Sequence, residues 1–275
     1  MCSCLNVSRS VYYYQNTHLT NKYKEKNIIL DKQIKEIFNE SKSRYGSPKI
    51  TKVLNSKGIK VSQKRVSRRM KMLELRSITI KKFKPVTNNK STSESKEYHN
   101  LLKQNFKSNK PGEKWLGDIT YIYTKETGWT YLAIVIDLFD LKVIGWEYST
   151  RMTDGITIKA LKKAVFNRQQ CDNLIFHSDR GSQYISNDYE VLLKSLNIKH
   201  SYSKKGYPYD NASMESFNAI LKKEEVNLHT YCNYEEARLI IFQFIESWYN
   251  NKRIHGSLGY ITPNEKYQQY LLANC

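Results

Sequence analysis

The sequence predicts a two-part molecule: a small all-α segment ahead of an α/β domain built on a mixed five-stranded sheet with flanking helices. Three observations predict it. Apolar residues recur at helical spacing up to about residue 75 and at strand spacing from Trp115 onward. The stretch between them, residues 77–110, is polar, rich in Ser, Asn and Lys, and without apolar periodicity. Charge divides at the same place: residues 1–110 hold 26 Lys+Arg and 7 Asp+Glu, whereas residues 111–275 hold 19 of each. The expected organisation is therefore a basic helical region over 1–76, a linker over 77–110 and an α/β core over 111–275, and a chain of 275 residues suits two domains.

In the first region, IILDKQIKEIFNE (28–40) carries Ile29, Ile34, Ile37 and Phe38 as a helical stripe. Residues 44–75 read as two short helices. Pro48 suits the start of the first and Gly58 its stop, with Ile50, Val53 and Leu54 on one face. Ser62 suits the N-cap of the second. There Val66, Met70 and Leu73 form one face and Lys64, Arg68 and Lys71 another, with Arg65 and Arg69 beside them. Two short helices joined at a glycine, the second basic outside, read as a helix-turn-helix. A solvated amphipathic helix would show the same spacing. The concentration of the chain's whole +19 in this half favours a polyanionic partner, DNA phosphates above all. A short helix is expected at about 98–106, and Pro111-Gly112 closes the linker.

Strands follow. WLGDITYIYT (115–124) alternates, with Ile119, Tyr121 and Tyr123 on one face and Asp118, Thr120 and Ile122 on the other. ETG (126–128) reads as a hairpin turn into WTYLAIVID (129–137), whose near-continuous apolar run suits burial on both faces. LKVIGWEYS (141–149) is a third strand, then a helix at 154–167, a strand at 173–178, a helix at 186–196 and a strand at 198–203. Residues 204–210 are a Lys/Gly/Pro loop; helices fill the rest, the last long one carrying Ala237, Ile241, Phe244 and Trp248 at helical spacing. Three strands in a meander followed by alternating helix and strand describe a mixed sheet.

Several function classes are excluded. No apolar run approaches the roughly 18–20 residues of a membrane span. The N-terminus has no signal-peptide core. The five cysteines, at 2, 4, 171, 232 and 275, build no disulfide framework, so a reducing cytoplasm is expected, and Cys2 and Cys4 lack a partner pair for zinc.

Three carboxylates stand where acids are awkward. Asp118 lies inside the first strand, Asp179 directly after a buried strand in HSDRG, and Glu215 near a helix start between Met214 and Phe217. Acids at strand ends and helix starts along one sheet edge can converge. Converging carboxylates repel and need a cation. Hard oxygen ligands select Mg²⁺ or Mn²⁺, and two such ions activate a water or hydroxyl and stabilise the leaving oxygen of a phosphodiester. Lys222 follows Glu215 by seven residues, about two helical turns, and shares its face, where it suits a DNA phosphate.

These residues sit in linked motifs: W-x-x-D-I-T-Y at Trp115–Tyr121, H-S-D-x-G-x-Q-Y at His177–Tyr184, G-x-P-x-D-N-A-x-x-E-S-F at Gly206–Phe217 continued by Leu221-Lys222, and Y-N-x-x-R-x-H-x-x-L-G-Y-x-x-P at Tyr249–Pro263. With 35 residues between Asp179 and Glu215, the chain resembles the DDE transposases of the insertion sequence 3 family, relatives of retroviral integrases. Residues 44–71 resemble the helix-turn-helix segment of the same proteins, and the resemblance covers about residues 5–270.

The resemblance implies an RNase H-like core and a metal-dependent transposase that cuts and joins DNA. It implies Asp118, Asp179 and Glu215 as catalytic metal ligands, with Mg²⁺ or Mn²⁺ as two ions, and Lys222 as an accessory DNA contact. Lys64, Arg65, Arg68, Arg69 and Lys71 are expected to hold DNA. Asp137, a rival carboxylate on the next strand, is read as structural or supporting. His177 either positions Asp179, touches DNA, or is a buried hydrogen-bonded histidine. Arg253 either contacts DNA or pairs with an internal acid. Asn211 and His255 match motif positions without an assigned role. Expected partners are double-stranded DNA at element ends and target, and further copies of the chain on DNA, in a bacterial cytoplasm beside the nucleoid. CLNVSRSVYYY resembles the start of the family's second reading frame, so a helix-turn-helix and leucine-zipper protein from the upstream frame is a further expected partner. The alternative function is a catalytically silent DNA-binding relic or regulator.

Overall fold

The computed structural model describes residue 2 and residues 8–17, 22–78, 98–168, 172–204 and 208–274. The chain forms two compact units, Met1–Ile80 and Lys81–Cys275. Most of the expected linker, residues 79–97, lies outside the described residues, as do residues 205–207 of the Lys/Gly/Pro loop.

The first unit is all-α: α1 (Arg9–Thr17), α2 (Lys22–Glu40), α3 (Ser47–Ser56) and α4 (Gln63–Met72). The buried stripe of α2 is Leu30, Ile34, Ile37 and Phe38, while Ile29 is 60% exposed. The expected stripe is thus corrected at its first position: Leu30 lies four residues before Ile34, one turn away, and Ile29 falls off the face. Ile50 and Leu54 of α3 and Val66 and Met70 of α4 complete this core. Pro48 stands in the first turn of α3, and Gly58 turns the chain at φ +83°, a conformation that suits glycine. Ser62 caps α4, its Oγ accepting from Arg65 N at 3.3 Å.

The second unit carries a five-stranded sheet in the order β3-β2-β1-β4-β5. The strands are β1 (Lys114–Thr124), β2 (Gly128–Asp137), β3 (Val143–Ser149), β4 (Ile175–Ser178) and β5 (Lys199–Tyr202). The first three form an antiparallel meander; β4 and β5 run parallel to β1. α5 (Asp154–Asn167) and α6 (Asn187–Ser195) connect the parallel strands, giving the RNase H-like mixed sheet that the resemblance implied. One face of the sheet packs Trp115, Ala133, Val135 and Phe176 against Ala160, Leu161, Tyr189 and Leu193 of these helices. Gly145 lets α5 lie directly on β3, since a Cβ there would stand 2.2 Å from the Ala160 carbonyl oxygen. α7 (Ala212–Glu224) packs against β1. α8 (Tyr234–Phe242) continues as a π-helical segment (Gln243–Tyr249), and α9 (Pro263–Asn274) ends the chain.

The short helix expected at 98–106 is absent. The segment instead runs beside β5, where His99 O accepts from Tyr202 N at 3.0 Å and Ser201 Oγ accepts from Leu101 N at 2.9 Å. Lys103 and Gln104 then turn with positive φ, which ends any helical path. Burial of Leu102 is satisfied by the sheet domain rather than by a helical face.

Candidate active site

Strand register sets the first two carboxylates side by side. β1 and β4 pair in parallel through Leu116↔His177. Asp118 follows Leu116 by two residues in β1 and Asp179 follows His177 by two, just past the end of β4, which brings the two carboxylates near enough for the charge of Asp179 to act on Asp118. The third arrives on a helix. Asn218 of α7 donates from Nδ2 to Asp118 Oδ2 at 2.7 Å. Glu215 precedes Asn218 by three residues and stands on the same face of α7, in its first turn.

The electrostatics agree with this convergence. Burial pushes the Asp118 carboxyl up to about 7, and the negative fields of Asp179 and then Glu215 add to the push. The Ile119 N–H at 2.9 Å and Asn218 partly offset it. Glu215 is exposed, and its carboxyl is raised by partial desolvation. Asp179 is exposed and accepts from Gly181 N at 3.0 Å. Tyr184 is buried near the pair, its hydroxyl held far above the usual phenol range by burial, Tyr189 and both aspartates. Among the described residues no three His, Cys, Asp or Glu side chains already enclose a metal position. The donor chemistry fits a hard divalent cation: carboxylate oxygens, that of Asp118 raised to about 7 by burial first and by the charges of its acidic neighbours second.

The accessory residues divide. His177 is fully buried; its Nε2 donates to Asp210 O at 2.9 Å and its Nδ1 accepts from Ser201 Oγ at 2.8 Å. Burial lowers its pKa to about 4, so it is neutral and ties β4, β5 and the turn before α7 together. Of its three readings, the buried hydrogen-bonded histidine is the one the geometry matches. Arg253 pairs with Glu224, from Nη2 to Oε1 at 2.8 Å and from Nε to Oε2 at 3.0 Å, with both side chains buried. This pairing has the geometry of the internal-acid alternative for Arg253. His255 stands at 3.3 Å from Arg253 Nη1 and edge-on to Tyr249, inside the same cluster. Asn211 directly precedes α7, and its Oδ1 is buried with no hydrogen-bond partner among the described residues. Asp137 is buried and held by Gly112 N at 2.7 Å, Trp115 Nε1 at 3.2 Å and Arg168 Nη1 at 3.0 Å, which makes it structural. Lys222 lies half-buried two turns along α7 from Glu215.

In the helical unit the five basic candidates also divide. Arg69 forms a two-point ion pair with Asp31 of α2, its Nε at 2.7 Å from Oδ1, and Arg65 donates to Asn27 at 2.9 Å. Lys64, Arg68 and Lys71 are exposed along the outer face of α4. Sequence reasoning missed Asn218 and Glu224. The i, i+3 spacing from Glu215 was a usable signal for Asn218; nothing local marks Glu224 as a partner 29 residues from Arg253.

Comparison with known proteins follows the same division. The integrase core domain family matches residues 108–208 and 196–263, and the HTH-like domain family matches residues 24–83. The chain is 42% identical over 241 residues to the transposase for insertion sequence element IS904 of Lactococcus lactis, covering 87% of this chain and 94% of that protein. It is 38% identical over 268 residues to transposase InsF for insertion sequence IS3A of Escherichia coli, covering 96% and 92%. Among solved structures, the HTLV-2 integrase catalytic core domain in complex with magnesium is 19% identical, covering 57% of this chain and 97% of that one at a TM-score of 0.44.

Proposed function

The chain belongs to the transposases of the IS3 family, and from that membership we propose that it cuts the ends of a DNA element and joins them to a target through Asp118, Asp179 and Glu215. The observation that carries the reading is the position of Asp118, with Asp179 just past the end of the neighbouring β4 and α7, which carries Glu215, joined to it through Asn218.

Asp118 and Asp179 would hold one divalent ion between them, and Glu215 with one aspartate a second, Mg²⁺ or Mn²⁺. Such ions supply activation of a water or a 3′-hydroxyl and stabilisation of the leaving oxygen. The protein's own groups do the rest. Asn218 holds the Asp118 carboxylate by a hydrogen bond from the helix that carries Glu215. Lys222, about 10 Å from Glu215 along the helix axis, takes a DNA phosphate in line with the site. The exposed Lys64, Arg68 and Lys71 grip the backbone of double-stranded DNA, while Arg65 and Arg69 brace α4 against α2. Two ends must be cut and joined together, which calls for more than one copy on the DNA and for the upstream-frame protein where end recognition needs it. Among the described residues no helix is long and apolar enough to cross a membrane. The proposed setting is the bacterial cytoplasm, at the nucleoid.

The deciding experiment is strand joining on labelled duplexes carrying the element's terminal repeats, with Mg²⁺, Mn²⁺ or EDTA, beside Glu215→Gln. Metal-dependent joined products from the wild type alone are expected. Tight DNA binding without products, with or without the upstream-frame protein, would instead identify a silent binder.

A further inference from the structure

We propose that the outer end of the β1–β2 hairpin is a stacking platform for unpaired bases of the DNA strand that passes the carboxylate site. The inference rests on the DNA-joining reading above and names which form of DNA the site's border holds.

The platform is made of rings. Tyr121 pairs across the strands with Tyr131, and Tyr123 with Trp129. Both pairs meet edge to face at 5.4 Å between centroids. Cross-strand aromatic pairs stabilise hairpins generally. These pairs leave Tyr121, Tyr123 and Trp129 47%, 53% and 58% exposed, a concentration of large rings in water at one edge of a domain.

Their neighbours point to a ligand of definite chemistry. The rings form one wall of a groove of about 770 Å³, with Lys222, Asn227 and His229 on the other side. The second wall is fixed. Tyr231 bridges to Thr124, its carbonyl oxygen accepts from Lys125 N at 3.0 Å, and His229 is held on Glu225 at 3.1 Å. Aromatic faces, one cation and two side chains able to hydrogen-bond suit a nucleotide. A paired duplex offers phosphates and base edges but hides base faces in its stack. Unpaired bases offer their faces, and stacking on them is tolerant of sequence.

The groove also lies where such a strand would go. Along β1, Tyr121 and Tyr123 follow Asp118 by about 10 and 17 Å, at roughly 3.3 Å per residue. Lys222 follows Glu215 by about 10 Å along α7. Tyr121 and Tyr123 stand on the face of β1 opposite Asp118, so a strand leaving the carboxylates reaches the rings around the edge of β1 beyond its pairing with β4, on the side where Lys222 lies, a path of at least about three to five nucleotides at 3.4 Å each.

The test is DNA binding by the full chain in EDTA, where joining cannot contribute. One labelled duplex is blunt; the other has the same paired length and about five unpaired nucleotides at its end. The variants are Trp129→Ala, Tyr123→Ala and Trp129→Phe, with Trp129→Thr as a β-branched replacement should alanine unsettle the hairpin. The expected result is about a tenfold loss on the forked duplex for the Ala or Thr variants, less than twofold on the blunt one, and retention by Trp129→Phe. Equal losses on both duplexes, or undiminished forked binding, overturns the proposal. So does a concentration-dependent dimer that Trp129→Ala disperses while strand binding is untouched, which would assign the face to a second copy. Metal-dependent joining on the blunt duplex is scored separately: its absence would remove the transferase reading while leaving a selective forked-duplex loss intact.

Discussion

Asp118, whose carboxyl burial and then its acidic neighbours raise to about 7, keeps one neutral side-chain donor, Asn218 Nδ2 at 2.7 Å. With Asp118 holding metal as proposed, a group that supports it is worth roughly 10–100-fold in metal affinity or activity. Asn218→Ala is therefore expected to lower joining by that factor while DNA affinity, measured in EDTA, stays within twofold. Loss of DNA binding in step with joining would mean that α7 had moved. A second prediction concerns Arg253. Its removal takes the guanidinium from buried Glu224, which keeps the hydrogen bond from Trp248 Nε1 at 3.1 Å, a loss of up to about 3–5 kcal/mol that should lower the melting temperature by on the order of 10 °C. An unchanged melting temperature for Arg253→Ala would return the residue to the DNA-contact reading. The two residues show what single-residue reading delivers. Asp118, Asp179 and Glu215 stood out because acids sat among apolar neighbours and within linked motifs. Asn218 did not, because an asparagine three residues along a helix has no chemistry until the strand it faces is known. Arg253 remained open because its partner lies 29 residues away.

The elements divide by whether their cause is local. α4 begins after Ser62 because the serine cap is written next to it, and α5 spans the 154–167 that periodicity gives. Residues 98–106 form no helix because β5 offers them partners first, and α1 was not foreseen, its residues carrying few apolar positions to bury. The faces of α4 follow from packing in the same way. Arg65 and Arg69 lie between Lys64, Arg68 and Lys71 in sequence but turn toward α2. A paired prediction separates the two faces. Arg68→Ala should weaken DNA binding, lower its log–log salt slope by about 1 and leave melting unchanged. Arg69→Ala should lower the stability of the helical unit, because it leaves Asp31 without its guanidinium. If Arg69→Ala instead reduced the salt slope without loss of stability, the inward assignment would be wrong. In the sheet unit the β3–α5 contact at Gly145 leaves no room for an added methyl. Gly145→Ala places a methyl 2.2 Å from the Ala160 carbonyl oxygen and 2.6 Å from the Ala164 nitrogen, both backbone, so neither can swing aside. Destabilisation of at least about 1–3 kcal/mol in urea unfolding is expected.

At the scale of the whole chain, grip and chemistry separate along the charge division that the sequence already displays. Residues 1–110 carry the entire +19, and residues 111–275 balance 19 basic against 19 acidic groups while supplying all three carboxylates. Backbone contacts made by the basic half are paid in released counterions, so affinity should fall by about 10³–10⁵ between 50 and 200 mM salt if 6–10 phosphates are held. On the proposed function the carboxylate site would respond to a different variable, a divalent cation rather than polyanion attraction. Two inhibitors of joining should therefore behave differently. Inhibition by 200 mM salt acts through release of DNA and should be reversed by raising the protein concentration. Inhibition by EDTA should resist any protein concentration and leave the DNA bound. Band-shift and joining assays on the same samples distinguish the cases. If EDTA released DNA as fully as salt does, the cation would be holding DNA rather than serving the reaction, and the division of labour between the basic half and the carboxylate half would fail.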